Sequence, residues 1–150
     1  MTSLIAHLGL LLATLPPLYL SITSAGLLME YEGVTKKAAK ISAEAGRQLH
    51  KTRTTQSAAV IACILSAATA GYGVFTAGAT SWVALLNAVV CGGAWFYVGD
   101  FWGGAAKAPF GIGGRQYNDA VRATQQVLVF LQGLGAGWGI VGIGRMVGIL

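Results

Sequence analysis

Apolar residues in this chain come in long uncharged runs, without the polar face that a surface helix shows. From Thr54 to Gly99 there is no Asp, Glu, Lys or Arg. One helical crossing of a hydrocarbon core takes about 20 apolar residues, so this run holds two crossings and a tight turn. The turn reads as Thr76-Ala77-Gly78-Ala79-Thr80-Ser81. A helical hairpin is expected, with arms over about 56–76 and 81–98. A soluble helix pair would turn one polar side to water, and neither arm has one.

A second uncharged run, Thr2 to Met29, precedes the hairpin. Its Ser24-Ala25-Gly26 is small enough for signal-peptide cleavage, but no basic residue precedes it and it outruns the usual apolar region. A retained first helix over about 4–29 is the better expectation. Pro16-Pro17 near its centre removes backbone donors and should kink it. Neighbouring membrane helices can satisfy the freed carbonyls. A third run, uncharged from Ala123 to Gly144, predicts a fourth helix over about 123–147. The fold class is therefore all-α, an integral membrane four-helix bundle filling residues 1–150 as one domain.

Two polar segments separate the runs. The first, about 30–55, carries Lys36, Lys37, Lys40, Arg47, Lys51 and Arg53 against Glu30, Glu32 and Glu44. Ala38, Ile41, Ala45 and Leu49 recur there at helical spacing, so part of it extends into the second helix. The second, about 99–122, carries Asp100, Lys107, Arg115, Asp119 and Arg122 and reads as a mixed loop. Ala108-Pro109-Phe110-Gly111 and the pair Gly113-Gly114 should break any helix there. Two crossings lie between the segments, which puts them on one side of the membrane. Of the ten basic residues only Arg145 lies outside them. The positive-inside bias then makes both segments cytosolic and both termini non-cytosolic. Arg145, near the far end of the fourth helix, can snorkel to the interface.

Composition agrees with a membrane chain. Hydrophobic residues make up 55% and charged ones 10%, against about 25% charged in soluble domains. The net charge of +5 follows topology and lacks the basic–aromatic interleaving of nucleic-acid binders. Glycine is abundant, at 22 residues, without a fixed period. Gly133 with Gly137, Gly135 with Gly139, and Gly144 with Gly148 form small-xxx-small pairs, which allow close helix contact in lipid.

Few groups suggest chemistry. Cys63 and Cys91 sit singly on the two hairpin arms and read as small core residues. His7 and His50 fall at opposite membrane faces on this topology, and no metal-ligand cluster occurs. A transporter is disfavoured, because the apolar interior is read as free of ionisable groups. One zone remains, where Arg47, His50, Lys51, Arg53 and Gln56 meet Tyr97, Asp100, Trp102, Lys107, Tyr117, Asp119 and Arg122. Cations there either anchor helix ends to anionic headgroups or hold an anionic ligand.

The run Gly92-Gly93-Ala94-Trp95-Phe96-Tyr97-Val98-Gly99-Asp100, followed by Lys107-Ala108-Pro109, resembles the end of the third helix in one family. That family is the membrane-associated proteins in eicosanoid and glutathione metabolism (MAPEG). Gly99 matches its pattern and Tyr97 supplies a nearby hydroxyl, whereas Gly93 and Asp100 replace an arginine and a tyrosine. In the family's helix-two motif, Lys51 takes the arginine position, Thr55 the asparagine and Ala58 the glutamate. The resemblance implies four helices, a homotrimer in the endoplasmic reticulum, and glutathione bound near the cytosolic side. Arg47, Lys51, Arg53, Tyr97 and Lys107 would then bind the cofactor. Arg122 or Tyr97 would be the catalytic candidate, since a cation near a thiol lowers its pKa. A lipophilic substrate would enter from the membrane lipid. Two alternatives stand beside this transferase reading. One is a non-enzymatic subunit of a larger membrane complex, packed through the glycine-rich fourth helix. The other is a small membrane oxygenase similar to the anthrone oxygenases.

Overall fold

The computed structural model describes residues 2–39, 43–76, 80–102 and 114–149, with side chains at 3–29, 47, 50–76, 80–102 and 117–149. Four helices account for nearly all of it: α1 (Thr2–Ala39), α2 (Ala43–Phe75), α3 (Ser81–Trp102) and α4 (Gly114–Met146). Each contains a stretch long and apolar enough to cross a membrane: Ser3–Met29, His50–Phe75, Ser81–Trp102 and Tyr117–Met146.

The spans fall where the uncharged runs lie, but the helices outlast them. α1 runs ten residues past Met29 and α2 begins well before Gln56. Ala, Lys, Glu and Gln dominate that polar stretch, and all are strong helix formers in water. The mixed loop expected over 99–122 is also shorter than its polar composition implies. Asp100 to Trp102 continues α3, and α4 already starts at Gly114, directly after the glycine pair. Lys107 and the Ala108-Pro109-Phe110-Gly111 turn lie outside the described residues. α1 passes through Pro16 and Pro17 as one helix, with Pro17 packed in the interior.

Around the bundle, α1 packs against α2 and α4, and α3 against α4 and, less extensively, α2; α2 and α4 touch only lightly across a diagonal. Neighbours run antiparallel. Ser24 meets Thr124 and Thr55 meets Trp102 at one end, while Thr69 meets Asn87 toward the other. The end that carries Lys51, Arg53, Asp100, Asp119 and Arg122 is called the polar end below.

Glycine sets the closest approaches, at spacings other than those expected. A Cβ on Gly135 would stand 3.5 Å from Gly92 N and 3.6 Å from Ala88 O. One on Gly142 would stand 2.7 Å from Leu85 Cδ2 and 3.2 Å from Leu85 N. These two, a heptad apart, form the α3–α4 seam. Gly137 faces the other way, toward Leu10 of α1, while Gly133 and Gly139 border open space. The spacing-of-four pairs thus do not act as pairs: their members turn to different sides of α4.

His7 also departs from expectation. Its ring lies inside the bundle at 0% exposure, edge-on to Trp138 with centroids 5.8 Å apart. Nδ1 sits 2.7 Å from the Ser3 carbonyl, which fixes the ring orientation. The interior is therefore not free of ionisable side chains. The surrounding core divides into a layer around Cys63, Val98, Trp102 and Leu131 and a layer around Ala70, Cys91, Leu134 and Trp138.

Candidate functional site at the polar end

Uncharged polar side chains knit the polar end together. Gln56 of α2, 5% exposed, donates its amide to the Thr124 hydroxyl at 2.8 Å. Thr124 in turn donates to the Ala120 carbonyl at 2.8 Å, and Ser24 of α1 lies 3.0 Å from the same hydroxyl. One cluster thus ties α1, α2 and α4. Beside it, the Trp102 indole donates to Thr55 at 2.9 Å, joining α3 to α2. In a water-poor interior an unpaired polar group is costly, so such groups are found in pairs.

Above this floor the cations that the sequence groups together separate into different corners. Lys51 is exposed on the α2–α3 side, with Nζ 6.0 Å from the centre of the Phe101 ring, a weak cation–π contact. Tyr97, also on that side and 45% exposed, has its hydroxyl 2.9 Å from the Thr54 hydroxyl. Arg53 instead borders α1. Arg122 is exposed on α4, diagonal to α2, and Arg47 is exposed further out along α2. Lys51 and Tyr97 therefore share a corner. Arg53 belongs to another, and Arg122 to a third.

Arg53's corner holds a cavity. Between α1 and α2 runs a groove of about 610 Å³, lined by Ala25, Leu28, Met29, Thr52, Arg53, Gln56, Ser57, Val60 and Ile61. Met29 and Ile61 are 71% and 55% exposed, so the groove opens sideways on the lipid-facing surface. Its wall is graded. Arg53 and Thr52 stand at the end nearer water, Gln56 and Ser57 follow one turn on, and Val60, Ile61 and Leu28 form the apolar part. Ligand pockets typically span about 300–1,000 Å³ with a few placed polar groups in an apolar lining, and this groove has that make-up.

Ser24, Thr124 and Thr55 gave no warning in sequence. The available signal was small hydroxyls embedded in uncharged runs, which in lipid mark helix contacts. Among the described residues no group of three or more His, Cys, Asp or Glu could hold a metal ion. No protein-family model, curated protein or solved structure matches the chain.

Proposed function

We propose that this multi-pass membrane protein binds an anionic amphiphile in the α1–α2 groove at its polar end. The observation that carries the reading is the grading of that groove from Arg53 to Ile61. Arg53, with Thr52 and Ser57, receives a carboxylate or phosphate through charge-assisted hydrogen bonds. The apolar chain lies along Leu28, Val60 and Ile61, and enters laterally from the bilayer. In this reading the polar end faces the cytosol, because the flanking basic residues cluster there.

Thermal unfolding of the purified protein with myristate, and with a neutral alcohol of equal chain length, tests the proposal. A ligand selective for the folded state at a hundredfold excess over its Kd stabilises by about 2.7 kcal/mol. Myristate should raise Tm more than the alcohol does. R53Q should remove that difference, and V60W should abolish both shifts by filling the groove. Equal shifts from the two compounds, or a myristate shift that survives V60W, would reject the site.

A second reading rests on the other corner. Lys51 and the Tyr97 hydroxyl lie on one α2–α3 flank, as a MAPEG-like glutathione transferase needs for an anionic peptide and its thiolate. The glutathione arm of the same unfolding assay separates the readings. Stabilisation by glutathione that K51A removes favours the transferase.

A further inference from the structure

We propose that the outward face of α4 around Gln132 is a self-association surface, on which a second copy of the chain docks by pairing its own Gln132 with this one. Gln132 is exposed on α4 and makes no hydrogen bond among the described residues. The membrane-spanning stretch of α4 is Tyr117–Met146. At about 1.5 Å per residue, Gln132 stands roughly 20 Å from either end. Its short side chain cannot reach an interface from there. An amide left facing hydrocarbon costs several kcal/mol, so the bilayer itself is not a stable partner for it.

Three features identify a second copy as that partner. An amide carries both donor and acceptor, so two glutamines related by a two-fold axis satisfy each other. Copies inserted in the same direction, with the axis along the membrane normal, bring each α4 residue to the same depth as its counterpart, and such isologous contacts are self-complementary. Gln125, also exposed, lies one heptad nearer the polar end on the same line and would pair likewise. Around Gln132 the surface is low: Gly133 and Gly139 border open space, and Ala136 between them is exposed. Backbones can therefore approach closely enough for the short amides to meet. The α1–α2 groove is not part of this contact, so the two proposals stand or fall separately.

Sedimentation of the full chain in mild detergent tests it, with Q132L, Q132N and Q126L beside the wild type. Gln126 is exposed too but points to another flank of α4. The wild type and Q126L should be dimers. Q132L should raise the dimer dissociation constant by about tenfold, in line with one or two interhelical hydrogen bonds. Q132N should retain most of the association. Should Q132L not fold, oxidation by copper phenanthroline should link Q132C chains into dimers and leave Q126C chains unlinked; Cys63 and Cys91 are buried and stay out of the reaction. A wild-type monomer, a trimer, a dimer indifferent to Q132L, association only with other polypeptides, or equal linking of Q132C and Q126C would overturn the proposal.

Discussion

The Trp138 indole donates to the Ser66 hydroxyl at 2.7 Å, joining α4 to α2 across the short diagonal of the bundle. Those two helices touch at few other places, and near the polar end Gln56 and Thr124 make a second such strut. Apolar packing alone does not favour one diagonal over the other. Lipid tails are as apolar as leucine, so no hydrophobic drive selects the helix arrangement. Directional hydrogen bonds between named residues do select it.

Removing the acceptor should therefore cost more than removing an ordinary hydroxyl. Ser66→Ala leaves a fully buried indole N–H without its partner, a loss of about 1–3 kcal/mol. Ser57→Ala, at an exposed position on the same helix, should stay within about 0.5 kcal/mol. Unfolding midpoints in mixed micelles would compare the two. A Ser66→Ala protein as stable as Ser57→Ala would show that the strut contributes nothing.

Gly73 should be the least replaceable of the α2 glycines. A Cβ there would stand 2.6 Å from His7 Nε2 and 2.8 Å from Cγ, and the ring is held between Trp138 and the Ser3 carbonyl. Gly73→Ala should destabilise by about 1–3 kcal/mol through overpacking. Gly71→Ala, where nothing lies within 4 Å, should gain up to about 1 kcal/mol from helix propensity. The same unfolding assay reads both. His7→Ala in the Gly73→Ala background should recover part of the loss.

The spans were legible because charge is costly in hydrocarbon, and Thr54–Gly99 carries none. The seam between helices was not legible. In a soluble bundle the buried face is marked by apolar residues against polar ones, whereas here Ile61 faces lipid and Ala62 faces the core, and both are apolar. Gly135 and Gly142 could not be told from Gly133 and Gly139 without the position of α3. At the polar end, sequence could place Lys51, Arg53 and Arg122 at one depth through the positive-charge bias. It could not assign corners, since that depends on which helices are neighbours and which are diagonal. His7 was misplaced for a related reason. Five residues into an uncharged run, a histidine at the interface and one in the core share the same surroundings in sequence.

Asn87 should be dispensable despite its burial. Its amide nitrogen donates to Thr69 at 3.0 Å and to the Val83 carbonyl at 3.1 Å, but its Oδ1 is buried without a partner. An interhelical hydrogen bond in a membrane averages about 0.6 kcal/mol, while an orphaned buried acceptor costs about 1–3 kcal/mol. The two terms offset, so Asn87→Ala should change stability by less than about 1 kcal/mol. Chemical unfolding of the two proteins side by side checks this. A loss above about 2 kcal/mol would mean that Oδ1 has a partner, such as a bound water.

Tyr97 separates a structural from a catalytic use of the α2–α3 corner. Its hydroxyl meets Thr54 where both groups are accessible, so water can replace either partner, and the bond should add little to stability. Tyr97→Phe should unfold within about 0.5 kcal/mol of the wild type. Under the transferase reading the same change removes a group aimed at a thiolate, and loss of such a donor costs about 10²–10³ in kcat. Glutathione conjugation to an apolar electrophile, measured on a variant of unchanged Tm, therefore reports on chemistry alone. Turnover that is glutathione-dependent in the wild type and unaffected by Tyr97→Phe would leave Lys51 to stabilise the thiolate. A fall of that size at constant stability would assign the role to Tyr97.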